Sequence, residues 1–228
     1  MISILLPSLR EELLNKRVVE FALTNPTTQY QLVVVSPFEV KGPNVKWLKD
    51  VPPFKGSVRA TNFALGSAIG EYIMYFSDDV SPTKDCLKNM IEFVKANEMG
   101  NINPFVGAFR MNRDNGAEIG PWGVFGYPYA CYGVVSRASL LKLGNVLFNH
   151  NYLYSWVDCD LSMRVWDLGG KVEICENAIV IPKQVDDEVY RSHRTTFNQD
   201  FNTFANKWHP KYGEGIPREI GTINRRLK

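Results

Sequence analysis

Three apolar runs in the first third of the chain each end on proline, serine or aspartate. They are Ile2 to Leu6 before Pro7-Ser8, Tyr30 to Val35 before Ser36-Pro37, and Tyr72 to Phe76 before Ser77-Asp78-Asp79. Strands this continuously apolar are buried on both faces, as in a parallel sheet. Segments with helical spacing separate them: Glu11 to Asn25 (Leu13, Leu14, Val18, Val19, Phe21, Ala22) and Ser57 to Ile69 (Val58, Phe63, Ala64, Ala68). Asn25-Pro26 and Gly70 supply the stops. Strand, helix, strand, helix, strand predicts an α/β fold: a central, mostly parallel sheet with helices on both faces. Val45 to Leu48 adds a short edge strand.

Open α/β sheets bind ligands at the carboxyl ends of their strands, here near Pro7-Ser8, Ser36 and Asp78-Asp79. Adjacent carboxylates repel unless a cation or a hydrogen-bond donor joins them. Hard cations such as Mg²⁺ or Mn²⁺ favour such oxygens and commonly keep a substrate phosphate as a further ligand. The alternative for Asp78-Asp79 alone is an Asp-rich turn.

The remaining composition narrows the partners. A net charge of +2 over 228 residues gives no reason to expect nucleic acid. No run approaches the ~20 apolar residues of a membrane span, and Met1 to Ser8 lacks the basic start of a signal peptide. Cys86, Cys131, Cys159 and Cys175 show no paired or zinc-like spacing. Reduced thiols in the cytoplasm are expected, with a basic C-terminal end (Arg218, Arg225, Arg226, Lys228) able to touch an anionic membrane surface weakly.

Pro82 to about Asn97 predicts a helix with Pro82 in its first turn. Phe105 to Met111 predicts a strand, followed by a turn at Asp114-Asn115-Gly116 and an aromatic segment, Pro121 to Gly133. Further strands are expected at Val134 to Ser136, Lys171 to Ile174 and Ala178 to Ile181, and helices at Ala138 to Leu143 and Asp158 to Leu168. The tail from Asp186 is polar, aromatic and weakly periodic. No repeat or long linker divides the chain.

Val157-Asp158-Cys159-Asp160 brings two carboxylates to a helix start. One suits the orphan N–H groups and the dipole there. The other can serve as a general base facing a pocket. Asp158, the earlier, is expected to face the cleft, and Asp160 to be structural.

The ordered set is Pro7-Ser8, Ser36, Arg59-Ala60-Thr61-Asn62, Gly70-Glu71-Tyr72-Ile73, Ser77-Asp78-Asp79, Ser136-Arg137 before Gly144, and Asp158-Cys159-Asp160-Leu161 with Arg164 and Gly169. It resembles the GT-A-fold glycosyltransferases of the family 2 type over roughly residues 1–182. The resemblance implies one GT-A domain over 1–228: a nucleotide-binding half (1–100), a smaller mixed β acceptor-binding half (101–185) and a C-terminal extension (186–228). It implies a hexosyltransferase-like enzyme using a nucleotide-sugar donor and a glycan, lipid-linked or protein acceptor. Pro7, Ser8, Arg10, Ser36, Arg59, Asn62, Ser77 and Asp78 would form the donor pocket. Asp79, completed by His193, would hold Mn²⁺ or Mg²⁺. Asp158 would be the base of an inverting displacement. The departures from the family pattern are Ser36, Ser77 and Val157 where it carries acids.

Aromatics before and within the base segment suit sugar C–H faces, and Trp122 or Trp156 is expected to line the acceptor side. Their alternative is ordinary packing. His193 could instead contact the diphosphate with Arg191 or Arg194, or sit in a surface loop. Two rival functions remain. A nucleotidyltransferase wants a Gly-rich loop after the first strand, which Pro7-Ser8-Leu9-Arg10 does not provide. A catalytically degenerate sugar- or nucleotide-binding module would account for the three departures.

Overall fold

The computed structural model describes residues 1–50, 56–183 and 185–215 and the backbone of 218–219. The basic side chains expected at the C-terminal end (Arg218, Arg225, Arg226, Lys228) lie outside the described residues. The first half runs β1 (Ile2–Pro7), α1 (Glu11–Thr24), β2 (Tyr30–Ser36), β3 (Val45–Lys49), α2 (Ser57–Leu65), β4 (Tyr72–Tyr75), β5 (Val80–Pro82) and α3 (Cys86–Glu98). Then follow β6 (Phe105–Asn112), β7 (Glu118–Ile119), β8 (Trp122–Val124), β9 (Tyr127–Pro128), β10 (Gly133–Ser136) and α4 (Arg137–Lys142). The chain continues through α5 (Val157–Asp167), β11 (Lys171–Pro182), α6 (Glu188–Thr195), α7 (Phe197–Tyr212) and β12 (Arg218–Glu219).

β1 lies between β2 and β4 and is parallel to both, with β3 added parallel to β2. β10 inserts antiparallel between β4 and β6, so both halves of the chain share one sheet. β11 runs parallel to β6, and β5 closes the edge antiparallel to β11. A separate small sheet orders β12, β8 and β9.

The alternation of a strand sorts the apolar runs onto two faces. Ile2, Ile4, Leu6, Leu32, Val34 and Met74 pack with Phe21 of α1 and Met90 and Val94 of α3. Leu5, Val33, Val35, Ile73 and Tyr75 pack with Ala60 and Ala64 of α2, Leu161 of α5 and Phe204 and Trp208 of α7. Each fully buried side chain of this size contributes about 1.5–3 kcal/mol relative to exposure.

Three local expectations are corrected. Pro82 ends β5, and the following helix begins only at Cys86, after Asp85 has taken a left-handed conformation (φ 56). The two short strands expected after Gly170 form one strand, β11, with a register irregularity between Cys175 and Ile179. The tail after Asp186 holds two helices. α6 buries nothing, and α7 buries Asp200, Phe204 and Trp208, a helical stripe whose first member is an acid. α6 has no apolar stripe to reveal it, whereas α7 carries one at helical spacing (Phe197, Phe201, Phe204, Trp208) that the reading of the tail as weakly periodic passed over.

Candidate active site

The carboxyl ends of β1, β2 and β4 open into a cleft of about 1210 Å³. Pro7, Ser8, Arg10, Ser77, Asp78 and Asp79 line one part of it, and Trp156, Asp158 and His193 another.

On the strand side, Asp78 is 3% exposed. Its Oδ2 accepts from Ser8 Oγ at 2.5 Å and its Oδ1 from Arg10 Nη1 at 2.8 Å. Burial raises the Asp78 carboxyl, and Ser8 and Arg10 work against that rise. Arg10 also grips Asp187, just before α6, through Nε to Oδ2 (2.6 Å) and Nη2 to Oδ1 (3.0 Å). Burial opposes the Arg10 charge, but Asp187, Asp78 and Asp79 together outweigh it and hold the guanidinium protonated. The same bond holds the Asp187 carboxyl down at about 2. Asp79 is half-buried, and its Oδ1 accepts from Ser77 Oγ at 2.5 Å.

At the α5 end, Asp158 is half-buried and its Oδ1 accepts the Cys159 N–H at 2.9 Å. Desolvation pushes this carboxyl up to about 6, near the working range of a general base. Asp160 is fully buried. It accepts from Lys207 Nζ (2.7 Å), Trp208 Nε1 (3.0 Å) and Arg164 Nε (3.1 Å), the structural role expected of it. Trp156, at φ 65, precedes the helix, with its ring 4.9 Å from Phe201 and 5.6 Å from Phe197. His193 stacks on Tyr154 at 4.0 Å. Burial lowers its pKa, favouring the neutral ring.

Four expected site residues stand elsewhere. Ser36 shares the face of Leu32 and Val34, away from the cleft, because side chains alternate and Val35 takes the cleft-facing place. Its Oγ donates to the Phe38 carbonyl at 2.6 Å. On α2, Ser57, Ala60 and Thr61 share the cleft-facing side at i, i+3 and i+4. Arg59 is exposed, and Asn62 bonds the Phe148 backbone, donating to its carbonyl (2.7 Å) and accepting its N–H (3.3 Å). Trp122 lies in β8 beside a separate hollow with Arg110 and Glu118.

The structure adds cleft residues that were not foreseen. Asp50, 4% exposed, follows β3 and lines the cleft near Val35. It was legible as the polar end of a short parallel strand. Tyr190 enters from α6, whose polar sequence gives no apolar stripe, and Phe197 and Phe201 enter from α7, where the spacing of Phe197, Phe201, Phe204 and Trp208 was the signal that could have found them.

Among the described residues, no three His, Cys, Asp or Glu side chains gather closely enough to cage a metal by themselves. Asp79 offers a carboxylate to the cleft and His193 a neutral ring, a donor set that suits an ion shared with substrate oxygens.

No protein-family model and no curated protein sequence matches the chain. Solved structures of TarS from S. aureus do match in fold. A TarS 1–349 fragment in complex with UDP-GlcNAc superposes with a TM-score of 0.63 at 17% identity, covering 84% of this chain and 60% of that one. The same fragment without a stated ligand gives 0.62 at 15% identity, covering 92% and 73%. A further TarS structure gives 0.61 at 17% identity, covering 85% and 38%. The chain therefore spans 60% of the first of these and 38% of the third. It has the GT-A fold, in agreement with its motif order.

Proposed function

We propose that the chain is a glycosyltransferase that moves a sugar from a nucleotide-sugar donor to an acceptor hydroxyl. The observation that carries this reading is the convergence of Asp78-Asp79 and Asp158 on one cleft at the carboxyl ends of the parallel strands. The likeness in fold to a TarS fragment that binds UDP-GlcNAc supports it.

In this reading the diphosphate lies near Pro7, Ser8 and Asp79, with Asp78 and Arg10 shaping the wall beneath it. The acceptor enters past Trp156, Phe197 and Tyr190. Phe197 and Tyr190 are 46% and 41% exposed although they face the cleft, as aromatics awaiting a ligand surface would be. Asp158 takes the proton of the acceptor hydroxyl as its oxygen attacks the anomeric carbon. The bond from that carbon to the diphosphate breaks on the opposite side, so the configuration inverts. Mn²⁺ or Mg²⁺, held by Asp79 with His193 and substrate oxygens, would supply charge neutralisation for the leaving diphosphate.

The test is release of UDP from UDP-GlcNAc with Mn²⁺, compared between the parent and Asp158→Asn. Loss of a positioned base is expected to slow release about 10²–10⁴-fold. Equal rates in the two proteins would refute the assignment. Tight UDP binding with no turnover on any donor would favour the binding-module alternative. UDP at ~100 times its Kd should stabilise the fold by about 2.7 kcal/mol.

A further inference from the structure

We propose that Asp200, on α7, is a positioning residue that fixes the loop carrying Trp156 and so aims Asp158 into the cleft. The inference rests on the transfer reading of the cleft. Asp200 is fully buried and does not line the cleft, so it does not touch substrate. Its two oxygens are spent on three consecutive backbone donors. Oδ1 accepts the Leu153 N–H at 2.9 Å, and Oδ2 accepts those of Tyr154 at 2.9 Å and Ser155 at 2.8 Å. A loop whose successive N–H groups converge on one rigid carboxylate cannot slide without giving up several of these bonds at once.

The opposite side of the same loop is also held. Leu153 O accepts the Val58 N–H at 3.2 Å, at the start of α2. Gly56, at φ +97, lies so close that a Cβ there would meet Leu153 O at 2.3 Å. The loop is therefore pinned between α2 and α7.

Its next residue shows why. Trp156 sits at φ 65, a left-handed conformation costly for a bulky side chain, and its carbonyl accepts the Asp160 N–H at 2.9 Å to open α5. Such strain persists only where the surroundings over-determine the backbone, and it gathers at functional sites. The Asp200 clamp occupies the three residues immediately before the strained one, and Asp158 follows two residues after it. A general base is sensitive to displacements of the order of 1 Å, so a device that fixes its approach has a catalytic purpose.

Asp200→Asn keeps the shape but turns one acceptor into an NH₂ group facing N–H donors. In the folded variant, UDP release from UDP-GlcNAc should fall about 10- to 100-fold in kcat, with KM for UDP-GlcNAc within about twofold of the parent. The titration midpoint of Asp158, followed by carboxyl ¹³C NMR, should move from its parent value. Asp200→Glu keeps the charge one methylene out of place and should show both effects more weakly, which covers the case in which the asparagine variant fails to fold. An unmoved Asp158 titration in a folded Asp200 variant overturns the proposal, whatever the activity. If the parent itself releases no UDP, the transfer reading fails, while the NMR measurement still decides the positioning role.

Discussion

Asp78 and Asp79 are neighbours in the chain and stand in different surroundings. Asp78 is buried and closed off by Ser8 and Arg10, whereas Asp79 is half-buried, bonded to Ser77 and open to the cleft. One carboxylate builds the wall and the other is left for a ligand. Asp79→Asn is therefore expected to fold normally and to lose any Mn²⁺-dependent stabilisation by UDP in a thermal-shift measurement. Asp78→Asn should instead lower the melting temperature with or without ligand. Disturbing a buried hydrogen-bonded group costs about 1–3 kcal/mol, or roughly 2–4 °C per kcal/mol at this size.

The Arg10–Asp78 pair gives a second expectation. Both side chains are largely buried, at 11% and 4% exposure. Breaking a buried pair by removing one partner costs about 3–5 kcal/mol because a charge is left uncompensated. Arg10→Ala should come near the lower end, since Ser8 still donates to Asp78. Adding Asp78→Asn to Arg10→Ala should then restore part of the loss, and urea unfolding of the single and double variants measures this coupling. Strictly additive losses would mean that the pair contributes nothing.

Asp158 sets a pH dependence with a defined sign. Its carboxyl rises from 3.8 to about 6 through desolvation. A raised folded-state pKa adds stability that is complete below the unfolded value and is lost as pH rises through the folded one. The loss therefore develops between about 4 and 6 and amounts to at most about 3 kcal/mol. Asp158→Asn should flatten that part of the stability curve. Activity runs the other way, because only the ionised base accepts a proton: the parent's UDP release should rise with pH through a midpoint near 6. A flat profile from pH 5 to 7 would remove Asp158 from the base role.

Much of this site was legible because it depends on strand ends and a helix start, which apolar runs and Asp residues mark directly. Pro7, Ser8 and Asp79 follow from where β1 and β4 stop, and Asp158 from where α5 begins. The failures have two physical sources. Ser36 is expected at the site from the end of its strand and Arg59 from the family resemblance, and the alternation of a strand and the rotation of a helix turn both away from the cleft. The clamp at Asp200 and the aromatic wall at Phe197 and Phe201 lie on α7: the apolar stripe Phe197, Phe201, Phe204 and Trp208 is present in the sequence at helical spacing and was passed over, whereas a buried acid such as Asp200 gives no apolar signal of its own.

Those two misplaced residues yield a discriminating test. Ser36→Ala removes a hydroxyl that bonds the Phe38 carbonyl inside the fold. It should cost about 1 kcal/mol of stability and leave UDP binding unchanged. Arg59→Ala alters an exposed side chain and should change neither stability nor binding measurably. Weakened UDP binding in either variant, read by titration calorimetry, would put these residues back at the donor site.

α6 is the wall most easily loosened, because it buries no residue. Asp187 performs two tasks there: Oδ1 accepts the Tyr190 N–H at 2.8 Å as the N-cap, and both oxygens take the Arg10 guanidinium. Loss of such a cap typically costs about 1 kcal/mol. The ion pair adds little to that, because the Asp187 side chain is 37% exposed and solvent screens it. Asp187→Ala should therefore speed amide hydrogen exchange across α6 while sparing α7, which is anchored by Phe204 and Trp208. Because Arg10 holds the Asp187 carboxyl down at about 2, its contribution is present above roughly pH 4 and fades as pH falls toward 2. The exchange difference between parent and variant should shrink along that same path, and one that persisted unchanged to pH 2 would mean that neither the cap nor the Arg10 bond holds the helix in place.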